Sequence, residues 1–332
     1  MDRCVKHVLT LASGLLLGVP GLNAQDVEGS VATADVLGLA LEIEAEIESL
    51  RWHMGRPPEA RPLIQVENVS IRENFNQALN LWRRVNQLGT ELVGGGEVPP
   101  AIASPRAAEY APEHVYEVLA GVADRLQEIR AGSAIVASTS IDAEPEEAPA
   151  YGSGTPTDVF KSVIQSTRQV NRMLERPPQP GDVYQRVQQA VFYASEILAT
   201  VGEPRAFPPL PAHQPGMRPG HVYNRLIEVA QRLSIAFDAL GLHMLKPPPI
   251  GNVIDESIVP GDVLDIATLL LTEIEYLHSR TTDARVPILA EHPGRRWPSD
   301  VYRLAGVLDE QTLAIMNRAR RDATAFVGSP RP

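Results

Sequence analysis

Pro180-Gly181-Asp182-Val183-Tyr184 recurs along the chain as Pro112-Glu113-His114-Val115-Tyr116, Pro219-Gly220-His221-Val222-Tyr223 and Pro298-Ser299-Asp300-Val301-Tyr302. Looser copies are Pro156-Thr157-Asp158-Val159-Phe160, Pro260-Gly261-Asp262-Val263-Leu264 and Thr33-Ala34-Asp35-Val36-Leu37. Proline is tolerated in the first turn of a helix, where its missing N–H would have had no partner. An acidic residue two positions on sits at the positive end of the helix dipole. Each copy therefore reads as a helix start, with Pro first and Asp third, or with Asp itself as the cap.

The residues that follow support this. From each valine, positions +4, +7, +11 and +14 are apolar or small, as in Val115, Leu119, Val122, Leu126, Ile129 and in Val222, Leu226, Val229, Leu233, Ala236. Alternating steps of four and three place them on one helical stripe, the spacing of nearly (anti)parallel bundle helices. An eighth segment lacks the proline, and its stripe reads Ile71, Phe75, Ala78, Trp82, Val85. The fold class is all-α: about eight helices in one or two helical bundles, with internal repeats and proline-rich linkers.

Most linkers are long enough to run back along a helix, so the starts could gather at one end. Up-and-down packing is the expected arrangement. Only Arg176-Pro177-Pro178-Gln179 separates the fourth helix from the fifth, which requires an antiparallel pair. The third and sixth helices share His-Val-Tyr and Val-Ala-x-Arg-Leu, and the first and seventh share Glu-Ile-Glu-x-Leu. The simplest account is a three-helix unit used twice and then truncated. The expected organisation is a signal peptide at 1–24, a three-helix unit at 25–131, a linker or long loop at 132–154 and a five-helix unit at 155–327.

The leader carries Arg3 and Lys6, an apolar run from Val8 to Leu17, and Ala24 before Gln25, a pattern that suits export and cleavage. Cys4, the one cysteine, falls in the part removed. The chain carries a net charge of −11, which argues against nucleic acid and against electrostatic attachment to anionic lipid. No later stretch reads as a membrane helix, so no transmembrane segment is expected after cleavage.

Candidate chemistry is sparse. The aromatic after the valine (Tyr116, Phe160, Tyr184, Tyr223, Tyr302) invites a ligand-binding ring, yet a ring that caps its bundle layer is the simpler reading. His114 and His221 fill the slot that Asp fills elsewhere, so they read as capping residues rather than metal ligands. Glu275 and His278 have the Glu-x-x-His spacing of carboxylate-bridged di-iron bundles, but no second copy exists. Glu42, Glu44, Glu46 and Glu48 spread around the seam as a solvated flank. No cofactor and no catalytic or metal residues are assigned. The sequence points to an exported protein, periplasmic or extracellular, acting as a protein-interaction or structural module of the cell envelope. A small-molecule-binding or sensory bundle is the alternative, and an enzyme without a recognisable motif a further one.

Overall fold

The structure, a computed structural model, describes residues 31–56, 65–94, 110–133, 154–204, 206–248, 255–281 and 293–326. The expected leader and most of the expected linker at 132–154 lie outside these residues. The described residues form eight α-helices: α1 Thr33–His53, α2 Ile71–Val93, α3 Pro112–Gly132, α4 Pro156–Met173, α5 Pro180–Thr200, α6 Pro219–Ala239, α7 Pro260–Thr281 and α8 Pro298–Arg321. A short 3-10 turn, Ala323–Phe326, closes the described chain.

All eight starts use one device. The third helical residue turns its side chain back to accept the N–H of the residue before the helix. Asp35, Glu73, His114, Asp158, Asp182, His221, Asp262 and Asp300 do so at 2.5 to 3.1 Å. Proline is thus the first helical residue and Asp or His the third. The imidazoles of His114 and His221 accept through Nδ1, so that nitrogen is unprotonated.

The stripes form the core. In the seven helices with the valine, every seam position is 5% exposed or less. The eighth, α2, differs from its expected register. Glu73 occupies the capping slot, so Asn74 stands where valine does elsewhere and Phe75 takes the aromatic place. Its stripe is Asn74, Ala78, Leu81, Val85, Leu88, each 1% exposed or less. Ala78 and Val85 belong to both stripes, which is why the sequence alone admits the other register; Ile71 and Trp82 are only half-buried.

The helices pack as two groups of four. α1 and α2 each contact α3 and α4, and α5 and α6 each contact α7 and α8. Helix α4 thus packs with the three helices before it, not with the four after it. In each bundle the first helix is diagonal to the second and the third to the fourth, whereas the second and third, α2 with α3 and α6 with α7, are neighbours. The sequence-related helices, α1 and α7, and α3 and α6, lie in different bundles, and α4 is split from α5 and α6, so the three-helix repeat is not a packing unit.

Within each bundle the helices are parallel, contrary to the up-and-down expectation. Ser162 donates to Glu44 and Arg51 to Gln169, so residue numbers rise together along α1 and α4. Asn74 reaches Pro156 O and Gln87 reaches Arg176 O between α2 and α4. In the second bundle Arg225 meets Tyr302, and Arg232 pairs with Asp309. Pro180, Val183, Pro219, Val222, Pro260, Val263, Pro298 and Val301 surround one point, the shared N-terminal end.

Parallel packing needs connections that return the length of a helix. A helix of about 20 residues is about 30 Å long, and roughly 10 extended residues span that distance. The stretch between α5 and α6 shows the return. Ala206 O accepts from Gln311, Pro211 O from Arg303, and Ser299 Oγ from Met217 N–H, so it descends antiparallel to α8. Gly306 permits this: a Cβ there would lie 2.9 Å from the Pro211 ring. Only 174–179, between α4 and α5, is short; it joins the bundles with reversal of direction, but α4 and α5 do not pack against each other as the expected antiparallel pair, because each is taken up by its own bundle.

Candidate functional site

The bundles meet where α2 and α4 face α7. Arg72 donates to Glu273 at 2.6 Å and Asn80 to Asp265 at 3.1 Å, so α2 and α7 run antiparallel. Arg72 also donates to His243 O and stacks on the Tyr276 ring at 3.8 Å. Glu73 does two jobs: beyond capping α2 it accepts the Leu245 N–H at 2.6 Å. Glu67 and Lys246 exchange backbone hydrogen bonds beside it, and Val66 and Val69 bury themselves in the second bundle's core.

This seam is strongly polar for a buried place. Burial pushes the Asp265 carboxyl up to about 7, aided by the Asp262 charge and opposed by Arg168 and Arg84. Burial pushes Glu273 up to about 8 against the pull of Arg72. Yet the middle of the seam, around Asp265, has no room for a substrate. Its cavity, lined by Phe160, Tyr223, Gln77 and Asp265 among others, holds about 20 Å³, the scale of one water. The arrangement holds two bundles together.

The residues singled out from sequence are dispersed. Tyr116 is 38% exposed on α3, whereas Phe160 is 1% exposed. Tyr184 lies beneath Arg296 and Tyr302 beneath Arg225, at 4.8 and 4.4 Å. Phe160 and Tyr223 share the small seam cavity. His114 and His221 are engaged as caps. Burial lifts the Glu275 carboxyl, which bonds Tyr193, and lowers the His278 imidazole, which packs edge-on to the same ring at 5.1 Å. Of the glutamate run, Glu44 is buried on Ser162, Glu46 pairs with Arg130, and Glu48 with Arg51. Among the described residues no group of three or more His, Cys, Asp or Glu is placed to hold a metal, and no helix is long and apolar enough to cross a membrane.

The N-terminal end of the second bundle stands apart. Its four prolines are half-buried around an apolar dimple. The capping positions form four corners: Gln179, Arg218, Val259 and Trp297. Trp297 is 60% exposed and Val259 44%, on the diagonally opposed helices α8 and α7. Arg295 stacks on the indole at 4.7 Å, and Arg218 pairs with Glu256 at another corner. The parallel arrangement creates this plateau, since up-and-down packing would split the prolines between two ends. Trp297 was not singled out from sequence, although a tryptophan directly before a helix-starting proline is a legible signal. Comparison with family models, characterised proteins and solved structures finds no match to this chain.

Proposed function

We propose that this chain is an exported interaction module, and that it engages a protein of the cell envelope or its surroundings through the proline plateau of the second bundle. The observation that carries the reading is Trp297, exposed beside a stiff apolar ring with charged groups at its edge. Exposed aromatics on a pre-organised surface are the typical anchors of protein interfaces. The proline ring has little conformational freedom to lose on binding. Export rests on the residue pattern at 1–24, with the mature chain starting at Gln25.

The test is site-specific photo-cross-linking in the exporting cell. A photoreactive residue at Trp297 or Val259 should give a discrete adduct that one at Glu117, on the outer face of α3, does not. Val259→Asp should abolish the Trp297 adduct without changing the unfolding midpoint. Equal labelling from all three positions would remove the plateau from consideration. Recovery of the uncleaved chain inside the cell would remove export.

A further inference from the structure

The return between α5 and α6 lays Ala206-Phe207-Pro208-Pro209-Leu210-Pro211-Ala212 along the outside of α8. Proline fixes its own φ near −65° and pushes the residue before it into the extended region. From Phe207 to Pro211 every residue is a proline or stands directly before one. The stretch is therefore built for polyproline II, a left-handed helix with three residues per turn and no internal hydrogen bonds.

Exposure follows that period of three. Pro208 and Pro211 are half-buried, and the Pro211 ring rests on Gly306 of α8. Phe207, Leu210 and His213 form one exposed ridge, and Pro209 and Ala212 a second. Phe207 is 66% exposed and Leu210 47%, large apolar side chains held out in water. The strap is fastened at both ends by α8, since Gln311 donates to Ala206 O at 2.7 Å and Arg303 donates to Pro211 O. From Ala206 to Pro211 a polyproline II segment spans about 15 Å, close to the roughly 12 Å of helix between Gln311 and Arg303, so the strap lies extended between its anchors. Three of its residues have no N–H, so it is not suited to adding as a strand to a sheet edge. The mode left to such a segment is docking of its ridges between aromatic rings. A strap already ordered loses little freedom when it binds.

We infer that Phe207–Ala212 is a polyproline II ligand, read through its Phe207/Leu210 ridge by a protein whose binding groove is lined with tryptophan and tyrosine rings. The Pro208/Pro211 ridge is taken by α8, and the other two are offered. This surface lies along the side of α8 and does not depend on the plateau.

The experiment titrates the full chain into an isotope-labelled WW domain and, separately, an SH3 domain, both of which take polyproline II segments in aromatic-lined grooves. At least one should bind saturably with a Kd below about 1 mM, with NMR shifts confined to its groove. Phe207→Asp and Leu210→Asp should each weaken binding about tenfold or more, because the groove would bury a charge. Both side chains are exposed, so the unfolding midpoint should stay in place. Pro209→Gly keeps the Phe207 and Leu210 side chains but frees the backbone, and it should also weaken binding. Val259→Asp, which strikes the plateau, should bind as the parent does. Absence of saturable binding by both domains, shifts outside the groove, or unchanged binding in the Phe207, Leu210 and Pro209 variants would overturn the assignment. Self-association of the full chain that Leu210→Asp abolishes would give the ridge to a second copy and overturn it likewise.

Discussion

At the residue scale, a single position controls each helix start. The third helical residue accepts a backbone N–H that nothing else in the helix can satisfy. A carboxylate does this with a full negative charge beside the positive end of the helix dipole, and a neutral imidazole does it without. His221→Asp should therefore stabilise the protein by about 0.5 kcal/mol in urea unfolding, since the N–H partner is kept and a favourable charge is added. A loss of stability would mean that the imidazole makes a contact that the capping bond at 3.1 Å does not account for.

At the element scale, parallel packing has an electrostatic cost. Four N-terminal ends meet at the plateau, each equivalent to about half a positive charge. Asp182, Asp262 and Asp300 offset this at the start of three of those helices. Arg318, Arg320 and Arg321 close α8, and His278 and Arg280 close α7. The direction of the helices is directly measurable. Spin labels at Gln179 and Arg218, the capping positions of α5 and α6, should lie within about 25 Å of each other. An up-and-down bundle would hold them beyond about 30 Å, the length of a helix of about 20 residues.

At the scale of the whole molecule, the seam between bundles makes stability depend on pH. Asp265 is fully buried, and its folded-state value of about 7 stands above the 3.8 of an unperturbed aspartate. The folded state therefore binds more protons than the unfolded one between those values, and stability falls as pH rises through that window. Glu273, at about 8, extends the decline upward with the same sign. The unfolding midpoint should be higher near pH 5 than near pH 8. Asp265→Asn keeps the shape and removes the titration, so it should flatten the lower part of the profile and stabilise the protein at pH 8 by about 2–4 kcal/mol. A variant with the parent's slope would place the titrating group elsewhere.

Much of this was legible in the sequence because it is local. The Pro-x-Asp starts and the four-three spacing follow from helix geometry alone, and the seven valine-led stripes lie inside as the spacing requires. Helix direction is not local: a stripe spaced four-three-four-three packs equally well against a parallel or an antiparallel neighbour. The connections carried the missing information, since those within a bundle are long and only 174–179 is short. The register of α2 was hidden because Ala78 and Val85 fit two stripes, and its capping Glu73 is a departure from Asp. The second buried face of α7 had a trace in sequence, since its residues from Gly261 to Leu271 are all buried and nearly all small or apolar. By itself, then, the sequence determined where helices begin and which side of each is core, because hydrogen-bond satisfaction and a 3.6-residue period act within a turn or two. Tertiary structure alone decided the parallel grouping in fours and the plateau at Trp297, because each joins residues far apart in the chain.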